Sequence, residues 1–203
     1  MAKEITVKML EEDVIALQKR QYEFNGFLSI IGYMAKDRII DYEAMQEEIN
    51  EAEKKGIALE MEKAIVSHKY CPQDRNVNDA DWSTDFYNSS ITFNFIKEPS
   101  KNRKKYTFPI TETDLNEIQL LQYEYNISLS IYTYLKETYD INPKILKEYL
   151  KVVTSRGIEL EKYKNKIANK YKPDQVNLST YDWSIDFIIK VITYEEVKNE
   201  KRP

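Results

Sequence analysis

The sequence predicts an α+β protein built as a tandem duplication of a β-α-α-β-β unit, giving two helical hairpins, each with a small antiparallel sheet. The segment DWSTDF at residues 81–86 returns as DWSIDF at residues 182–187. Shifting the chain by that distance aligns residues 5–93 with 106–194 without a gap, and 30 of the 89 aligned positions are identical. Within each copy, the spacing of apolar residues changes from helical to strand-like in the same order.

A repeat of this length indicates a duplicated small domain, because solenoid repeats have periods of about 20–50 residues. We expect a first repeat at residues 1–95, a basic connector at 96–105 and a second repeat at 106–203. The connector is interpreted as a solvated linker, with a phosphate-binding patch as the alternative. A fused duplicate usually keeps the symmetry of the homodimer it replaced, so we expect internal pseudo-twofold symmetry and a monomeric chain.

Each copy is predicted to begin with a short strand, EITVK in the first and YTFPI in the second, followed by a first helix. This helix is expected at residues 11–36 and 112–137, where apolar residues recur every three or four positions. Thr111 and Asp114 are typical of a capping box at the start of the helix in the second copy.

A second helix is expected to begin after Asp41 or Asn142, since both residue types favour the N-cap position. Pro143 fits the first position of that helix in the second copy. The helix is expected to end before Pro72 or Pro173, because proline cannot continue a helix. The two helices of each copy then form a hairpin.

The repeated DWSxDF segment is predicted to form a strand. In the first copy, WSTDF and ITFNF flank a turn and alternate polar with apolar residues, which predicts a β-hairpin. The second copy is more uniformly apolar here, so we expect its strand to be better covered. Trp82 and Trp183 would face the helices and close each helical hairpin. The alternative is an aromatic platform that binds a ligand.

Apolar residues at helical spacing also predict which face of each helix is buried. The stripe of the first helix contains one polar residue, Gln21 or Gln122, which is expected to hydrogen-bond a strand end or its counterpart in the other copy. The stripe of the second helix contains Gly56 or Gly157, which indicates a close helix crossing. The first-helix stripes are Leu17, Gln21, Phe24, Leu28 and Ile31, and Ile118, Gln122, Tyr125, Leu129 and Tyr132. The second-helix stripes are Met45, Ile49, Ala52, Gly56, Leu59 and Val66, and Leu146, Leu150, Val153, Gly157, Leu160 and Ile167.

A further row along each first helix has the same five residue types in both copies, and we call these rows the tyrosine faces. Their spacing of three and four residues places each row on one side of its helix, beside the buried stripe. Either the two faces meet across the pseudo-twofold axis, or they line a groove for a peptide or small ligand. The first face is Gln18, Tyr22, Asn25, Ser29 and Tyr33, and the second is Gln119, Tyr123, Asn126, Ser130 and Tyr134.

The composition narrows the class of protein. Hydrophobic residues make up 42% of the 203 positions and the net charge is −4, which favours a folded protein that does not bind nucleic acid. No apolar run reaches the ~20 residues of a membrane span, and the N-terminus lacks the apolar core of a secretory signal. The single cysteine favours a cytoplasmic location, and the richness in Lys, Ile, Asn and Tyr favours a bacterial or phage origin.

Residues that catalysis would need are scarce. His68 is the only histidine and aligns with Asn169, and Cys71 aligns with Lys172, so neither belongs to the repeated design and His68 is expected at the surface. We expect no catalytic residue, cofactor or metal site. The alternative is a carboxylate-based metal-dependent enzyme that uses four repeated acidic pairs. They are Glu23 and Glu124, Glu47 and Glu148, Glu60 and Glu161, and Asp85 and Asp186.

The order of a helix with QYEFN, a second helix and then Trp-x-x-Asp-Phe before a short strand resembles the accessory proteins of CXXX-repeat peptide modification systems. The resemblance applies to each half separately, so this chain would be a tandem version. It implies a non-catalytic partner of a peptide-modifying enzyme or of its precursor peptide.

We therefore expect a non-catalytic scaffold that binds a protein or peptide, as an accessory or antagonist protein in a bacterial or phage system. Exposed strand edges are a second candidate surface, because an extended peptide can add to a sheet as a further strand. The expected binding residues are Tyr22, Asn25, Ser29, Tyr33, Tyr123, Asn126, Ser130, Tyr134, Trp82 and Trp183.

Overall fold

The computed structural model describes residues 3–73, 75–95 and 104–197, and it has the predicted α+β fold. The first repeat consists of β1 (Lys3–Lys8), α1 (Glu11–Met34), α2 (Gln46–Tyr70), β2 (Ala80–Asp85) and β3 (Ser90–Phe95). The second consists of β4 (Lys105–Pro109), α3 (Glu112–Glu137), α4 (Pro143–Tyr171), β5 (Tyr181–Asp186) and β6 (Val191–Glu196). Short 3-10 helices at Glu43–Met45 and Val77–Asp79 precede α2 and β2. Residues 96–103 of the predicted connector lie outside the described residues.

Each repeat has a three-stranded antiparallel sheet with its last strand in the centre, in the orders β1-β3-β2 and β4-β6-β5. In the first sheet, the fully buried Phe93 pairs with Ile5 on one side and Trp82 on the other. The opposite side of the sheet carries polar pairs, such as the hydrogen-bonded hydroxyls of Thr6 and Thr92 (2.9 Å). The sheet therefore turns one apolar face towards the helical hairpin.

The predicted capping residues lie at the helix starts. Asn142 accepts a hydrogen bond from a backbone N–H of the first turn of α4, and Pro143 follows at the first position. Thr111 caps α3 in the same way. Asp41 also accepts a backbone hydrogen bond, but the chain makes the Glu43–Met45 3-10 helix before α2 begins.

The predicted buried stripes are correct in the first repeat and only partly correct in the second. All six residues of the predicted second-helix stripe are buried, five of them in α2 and Met45 at the end of the preceding 3-10 helix. In α4, Leu150 is exposed and its neighbour Tyr149 is fully buried. In α3, Leu129 is 40% exposed, whereas its counterpart Leu28 in α1 is 8% exposed. The difference arises because the second repeat covers the first at these positions.

Two buried clusters form the core, and the larger one contains residues of both repeats. It joins the first repeat to the C-terminal half of α3 and the N-terminal half of α4. The smaller cluster joins the second sheet to the opposite ends of α3 and α4. The contributions of the second repeat to the larger cluster are Ile127, Ile131, Leu135, Ile145, Tyr149 and Val153.

The contacts between the repeats run in one direction, and this corrects the expected pseudo-twofold symmetry. Ile127 of α3 lies over Gly56 of α2, where a Cβ would be 2.6 Å from the Ile127 Cγ2 atom. A twofold axis would bring Gly26 to Gly157 in the same way. Instead, no other described element comes within 4 Å of the place where a Gly26 Cβ would be. The repeats are therefore packed head to tail.

Candidate functional site

The two tyrosine faces have the same internal hydrogen bonds. Gln18 donates to the hydroxyl of Tyr22 (3.1 Å), and Gln119 donates to the hydroxyl of Tyr123 (2.9 Å). The serine of each face donates to the backbone carbonyl of the asparagine four residues earlier, at 2.9 Å in both helices. The sequence thus forms the same local surface twice.

The glutamines of the predicted stripes also bond within these faces. Gln21 donates to the side chain of Asn25 (2.9 Å), and Gln122 donates to Asn126 (2.8 Å). The prediction that these amides bond a strand end or each other is therefore wrong. Both glutamines are only half-buried, so an asparagine one helical turn away can satisfy them. The bonds hold the asparagine side chains of the two faces in place.

The two faces differ in what covers them. Tyr22 is 66% exposed and Tyr33 is 81% exposed, whereas Tyr123 is 6% exposed. Burial, and to a smaller extent the charge of Glu60 on α2 of the first repeat, raise the pKa of the Tyr123 hydroxyl. The Tyr123 ring also lies 6.4 Å from that of Phe187 in its own repeat. The face of α3 is therefore part of the interface between the repeats, and the face of α1 lies on the surface.

The face of α3 reaches α1 through a ring that sits on a glycine. A Cβ on Gly32 would be 2.7 Å from the Cε1 atom of Tyr134, so the missing side chain makes room for the ring. Tyr33, the counterpart of Tyr134, points into solvent. The two tyrosine faces therefore do not meet as a symmetric pair.

A largely buried ion pair fastens α2 to α4. Arg156 donates one hydrogen bond to each carboxylate oxygen of Glu53, both at 2.8 Å, and the Tyr149 hydroxyl donates to the same carboxylate (3.2 Å). Burial, and then the Glu53 charge, raise the pKa of Tyr149 well above its ordinary value. In the repeat alignment, Thr154 replaces Glu53 and Lys55 replaces Arg156. The aligned residues Thr154 and Lys55 therefore cannot form an equivalent ion pair.

The repeated tryptophans line the inner side of their strands. Trp82 and Trp183 are half-buried and pack against the core cluster of their own repeat. The alternation along β2 agrees with the predicted strand. The expectation of better coverage in the second copy is only partly met, because Ile185 is buried whereas Ile188 and Ile189 lie in an exposed turn.

A repeated polar network, which the sequence analysis missed, ties the start of each first helix to the end of each second helix. Asp114 accepts hydrogen bonds from Lys170 and from the Tyr171 hydroxyl (2.6 Å). Asp13, Lys69 and Tyr70 form the same network in the first repeat. The signal was present in the sequence, because these three residue types are identical in the two copies.

Replacing Asp114 with asparagine is expected to lower the free energy of unfolding by about 1–3 kcal/mol, because Asp114 is buried and the hydrogen bonds from Lys170 and Tyr171 lose their charged acceptor. Burial alone would raise the pKa of Asp114, but the hydrogen bonds from Lys170 and Tyr171 outweigh burial and lower the pKa below 3.8. A carboxylate with a lowered pKa in the folded state stabilises the fold above its unfolded pKa, and this stability is lost as the pH falls through the folded value.

Urea unfolding of both proteins between about pH 7 and about pH 2.5 measures the effect. The free energy of unfolding of the wild type is expected to fall more steeply with acid than that of Asp114→Asn. Equal slopes would show that this carboxylate does not contribute.

The single histidine and the single cysteine lie at a cleft between the repeats, with a volume of about 530 Å³. The Nε2 atom of His68 is 3.7 Å from the Asp186 carboxylate, so the predicted surface histidine is in fact half-buried against the other repeat. Cys71 lines the same cleft. Within residues 3–73, 75–95 and 104–197, no group of three or more His, Cys, Asp or Glu side chains is arranged to hold a metal ion.

Comparison with known proteins gives no identification: no family model, curated protein or solved structure matches the chain. In the part of the chain that the structure describes, no helix has both the length and the apolar character needed to cross a membrane. The fold and its interface define the class as a tandem-repeat α+β protein.

Proposed function

We propose that the protein is a non-catalytic scaffold that binds a protein or peptide through the tyrosine face of α1. The difference between the two tyrosine faces carries this proposal. The same five residue types stand in both copies, but among the described residues Tyr123, Asn126 and Tyr134 of α3 are buried or half-buried, whereas Tyr22, Asn25 and Tyr33 of α1 are exposed. The same residue types that pack against protein on α3 are therefore exposed on α1.

The chemistry of this face suits a protein or peptide partner. Tyr22 and Tyr33 supply large rings with few rotatable bonds, and Asn25 and Ser29 supply polar contacts, a combination typical of binding surfaces. Ile30, which is exposed beside them, adds an apolar contact. Exposed apolar groups that cluster among polar ones are characteristic of interaction sites.

Under this proposal the chain acts as an accessory or antagonist protein in a bacterial or phage cytoplasm. The resemblance to accessory proteins of CXXX-repeat peptide modification systems makes a peptide-modifying enzyme, or its precursor peptide, the first partner to test. The contribution of the chain would be recognition, with the reaction carried out by its partner.

Selection of a random peptide library on the full chain is expected to enrich peptides that bind the tyrosine face of α1. Replacing both Tyr22 and Tyr33 with alanine is expected to weaken their binding at least about tenfold, because aromatic side chains at the centre of a contact supply much of its affinity. Isothermal titration calorimetry of the enriched peptides measures the loss.

The matched control replaces Tyr87 and Tyr139, which are as exposed as Tyr33 but lie outside the tyrosine faces. Affinity for the enriched peptides should be unchanged in this control. Failure to enrich any peptide would contradict the proposal, and so would equal affinity for the wild type and the Tyr22→Ala, Tyr33→Ala variant.

A further inference from the structure

The contact between the repeats shows how a tyrosine face packs against a helical hairpin. Tyr123 and Ile131 of α3 are both buried, and Tyr123 lies near enough to Glu60 of α2 for the Glu60 charge to raise its pKa. Ile131 belongs to the same buried cluster as Leu28 of α1 and Ile49 of α2. This contact has two different sides, namely the tyrosine face of α3 and a receiving surface on α1 and α2.

The head-to-tail arrangement leaves one example of each side without a partner among the described residues. The unpartnered tyrosine face is on α1, where Tyr22 and Ile30 are exposed although their counterparts Tyr123 and Ile131 are buried. These residues are identical in type at the aligned positions. When two repeats form one contact between unlike surfaces, the first repeat keeps an uncovered tyrosine face and the second keeps an uncovered receiving surface.

The unpartnered receiving surface is on α3 and α4. Leu129 and Leu150 are both exposed there, whereas the aligned residues of the first repeat, Leu28 and Ile49, are both buried. Beside them, Thr154, Gly157, Ile158 and other residues line a groove of about 600 Å³. We call this the receiving groove. Leu129 and Leu150 lie at its edge, one helical turn from the lining residues Tyr125 and Thr154, and they are core residues of the repeated design that have no third repeat to cover them.

The helix crossing in the receiving groove suits α1 in particular. At Gly56, the space above the glycine is filled by Ile127 of the incoming helix. At Gly157, the ring of Tyr125 already occupies that space, 3.0 Å from the place of a Cβ. Position 26 of α1, which aligns with Ile127, is glycine and brings no side chain to the crossing. The space over Gly157 is thus filled by Tyr125 of the groove itself, and the incoming α1 helix does not need a side chain at position 26 to fill it.

The charges around the groove indicate a weaker contact than the one inside the chain. Glu161 lines the groove at the position that Glu60 holds beside Tyr123, so a polar partner for the Tyr22 hydroxyl is present. Thr154 and Lys55 stand where Glu53 and Arg156 form the buried ion pair. Without that pair, a contact between separate molecules lacks one of the strongest interactions of the internal interface.

We propose that the chain binds a second copy of itself head to tail, with the tyrosine face of α1 in one copy seated in the receiving groove of the next. The inference rests on the proposed function, since it names the protein that covers the tyrosine face of α1. Each bound copy leaves a free tyrosine face at one end and a free groove at the other. Assembly therefore continues beyond the dimer unless the rotation between copies closes a ring.

Sedimentation equilibrium of the full chain tests this directly. The average mass is expected to rise from the 24.1 kDa monomer to beyond the dimer as the concentration increases to about 1 mM, the range of weak protein contacts. Two substitutions at exposed positions each block one side of the contact. Ile30→Glu places a charge beside the tyrosine face of α1, and Leu150→Glu places one beside the receiving groove. Each variant alone is expected to associate at least about tenfold more weakly.

Mixing the two variants distinguishes two different sides from a symmetric contact. The Leu150→Glu chain keeps its tyrosine face and the Ile30→Glu chain keeps its groove, so an equimolar mixture is expected to form 1:1 dimers and nothing larger. Leu10→Glu is the control and should associate like the wild type, because Leu10 is exposed and its counterpart Thr111 lies at the end of α3 that packs within the second repeat. Circular dichroism confirms that each variant is folded.

A wild-type chain that stays monomeric throughout the concentration range would overturn the inference, and so would variants whose mixture stays monomeric. If self-association is absent but the enriched peptides still bind the tyrosine face, only the second copy as occupant is wrong and the scaffold proposal stands. If the Tyr22→Ala, Tyr33→Ala variant binds the peptides like the wild type and Ile30→Glu does not weaken association, both proposals fail.

Discussion

Replacing Ile127 with alanine is expected to lower the free energy of unfolding by about 2–5 kcal/mol, the range found for truncating a buried isoleucine. Ile127 comes from the second repeat, yet it lies in the core cluster of the first, directly over Gly56. Truncation leaves a cavity at this crossing, and the helix backbones on both sides limit how far it can collapse. Urea unfolding followed by circular dichroism measures the change.

A second substitution at the crossing tests whether the contact itself causes the loss. Gly56→Ala alone is expected to destabilise by about 1–3 kcal/mol through overpacking, since its Cβ would be within 2.9 Å of three side-chain atoms of Ile127. Ile127→Ala removes all three of these atoms. The double variant should therefore be more stable than the sum of the single changes predicts, and strict additivity would contradict the packing described here.

Gly26→Ala serves as the control for helix propensity. No other described element lies near this position, so alanine should stabilise α1 by about 1 kcal/mol. The same substitution at Gly56 should have the opposite sign. If the two repeats were related by a twofold axis, Gly26 would lie at a helix crossing with Gly157, as Gly56 lies at a crossing with Ile127. Gly26→Ala would then be expected to destabilise the fold, as Gly56→Ala does.

Local features of the chain could be predicted from the sequence because they depend on neighbouring residues. The caps at Thr111 and Asn142 and the stops before Pro72 and Pro173 follow from backbone chemistry within a few positions. The comparison of the two copies added the order of elements. It also pointed to the tyrosine faces, whose hydrogen bonds are the same in both helices.

The arrangement of the repeats could not be predicted in this way. Identical residues such as Tyr22 and Tyr123 carry no information about which of them is covered, because the same side chain suits an interface or an exposed surface. The residue that distinguishes the two copies is Ile127, whose side chain packs on Gly56, whereas the aligned residue of α1 is Gly26. This difference determines which first helix packs on the other repeat. A difference between the copies was therefore more informative than the identities on which the symmetric expectation relied.

The ion pair between α2 and α4 is the second place where a single change should have a large effect. Glu53→Ala is expected to lower the free energy of unfolding by about 3–5 kcal/mol, because it leaves the charge of Arg156 buried without its partner. The Tyr149 hydroxyl loses its acceptor at the same time. Thermal and urea unfolding of the full chain measure the loss.

A neighbouring pair on the same helix shows whether burial is the cause. Lys54 and Glu51 form an exposed ion pair, so Glu51→Ala should change the free energy of unfolding by less than about 1 kcal/mol. Adding Arg156→Met to Glu53→Ala removes the stranded charge and should recover much of the lost stability. If Glu53→Ala costs no more than Glu51→Ala, the buried ion pair does not stabilise the contact between the two hairpins. The presence of Thr154 and Lys55 in place of the Glu53–Arg156 pair would then no longer explain why the contact between separate chains should be weaker.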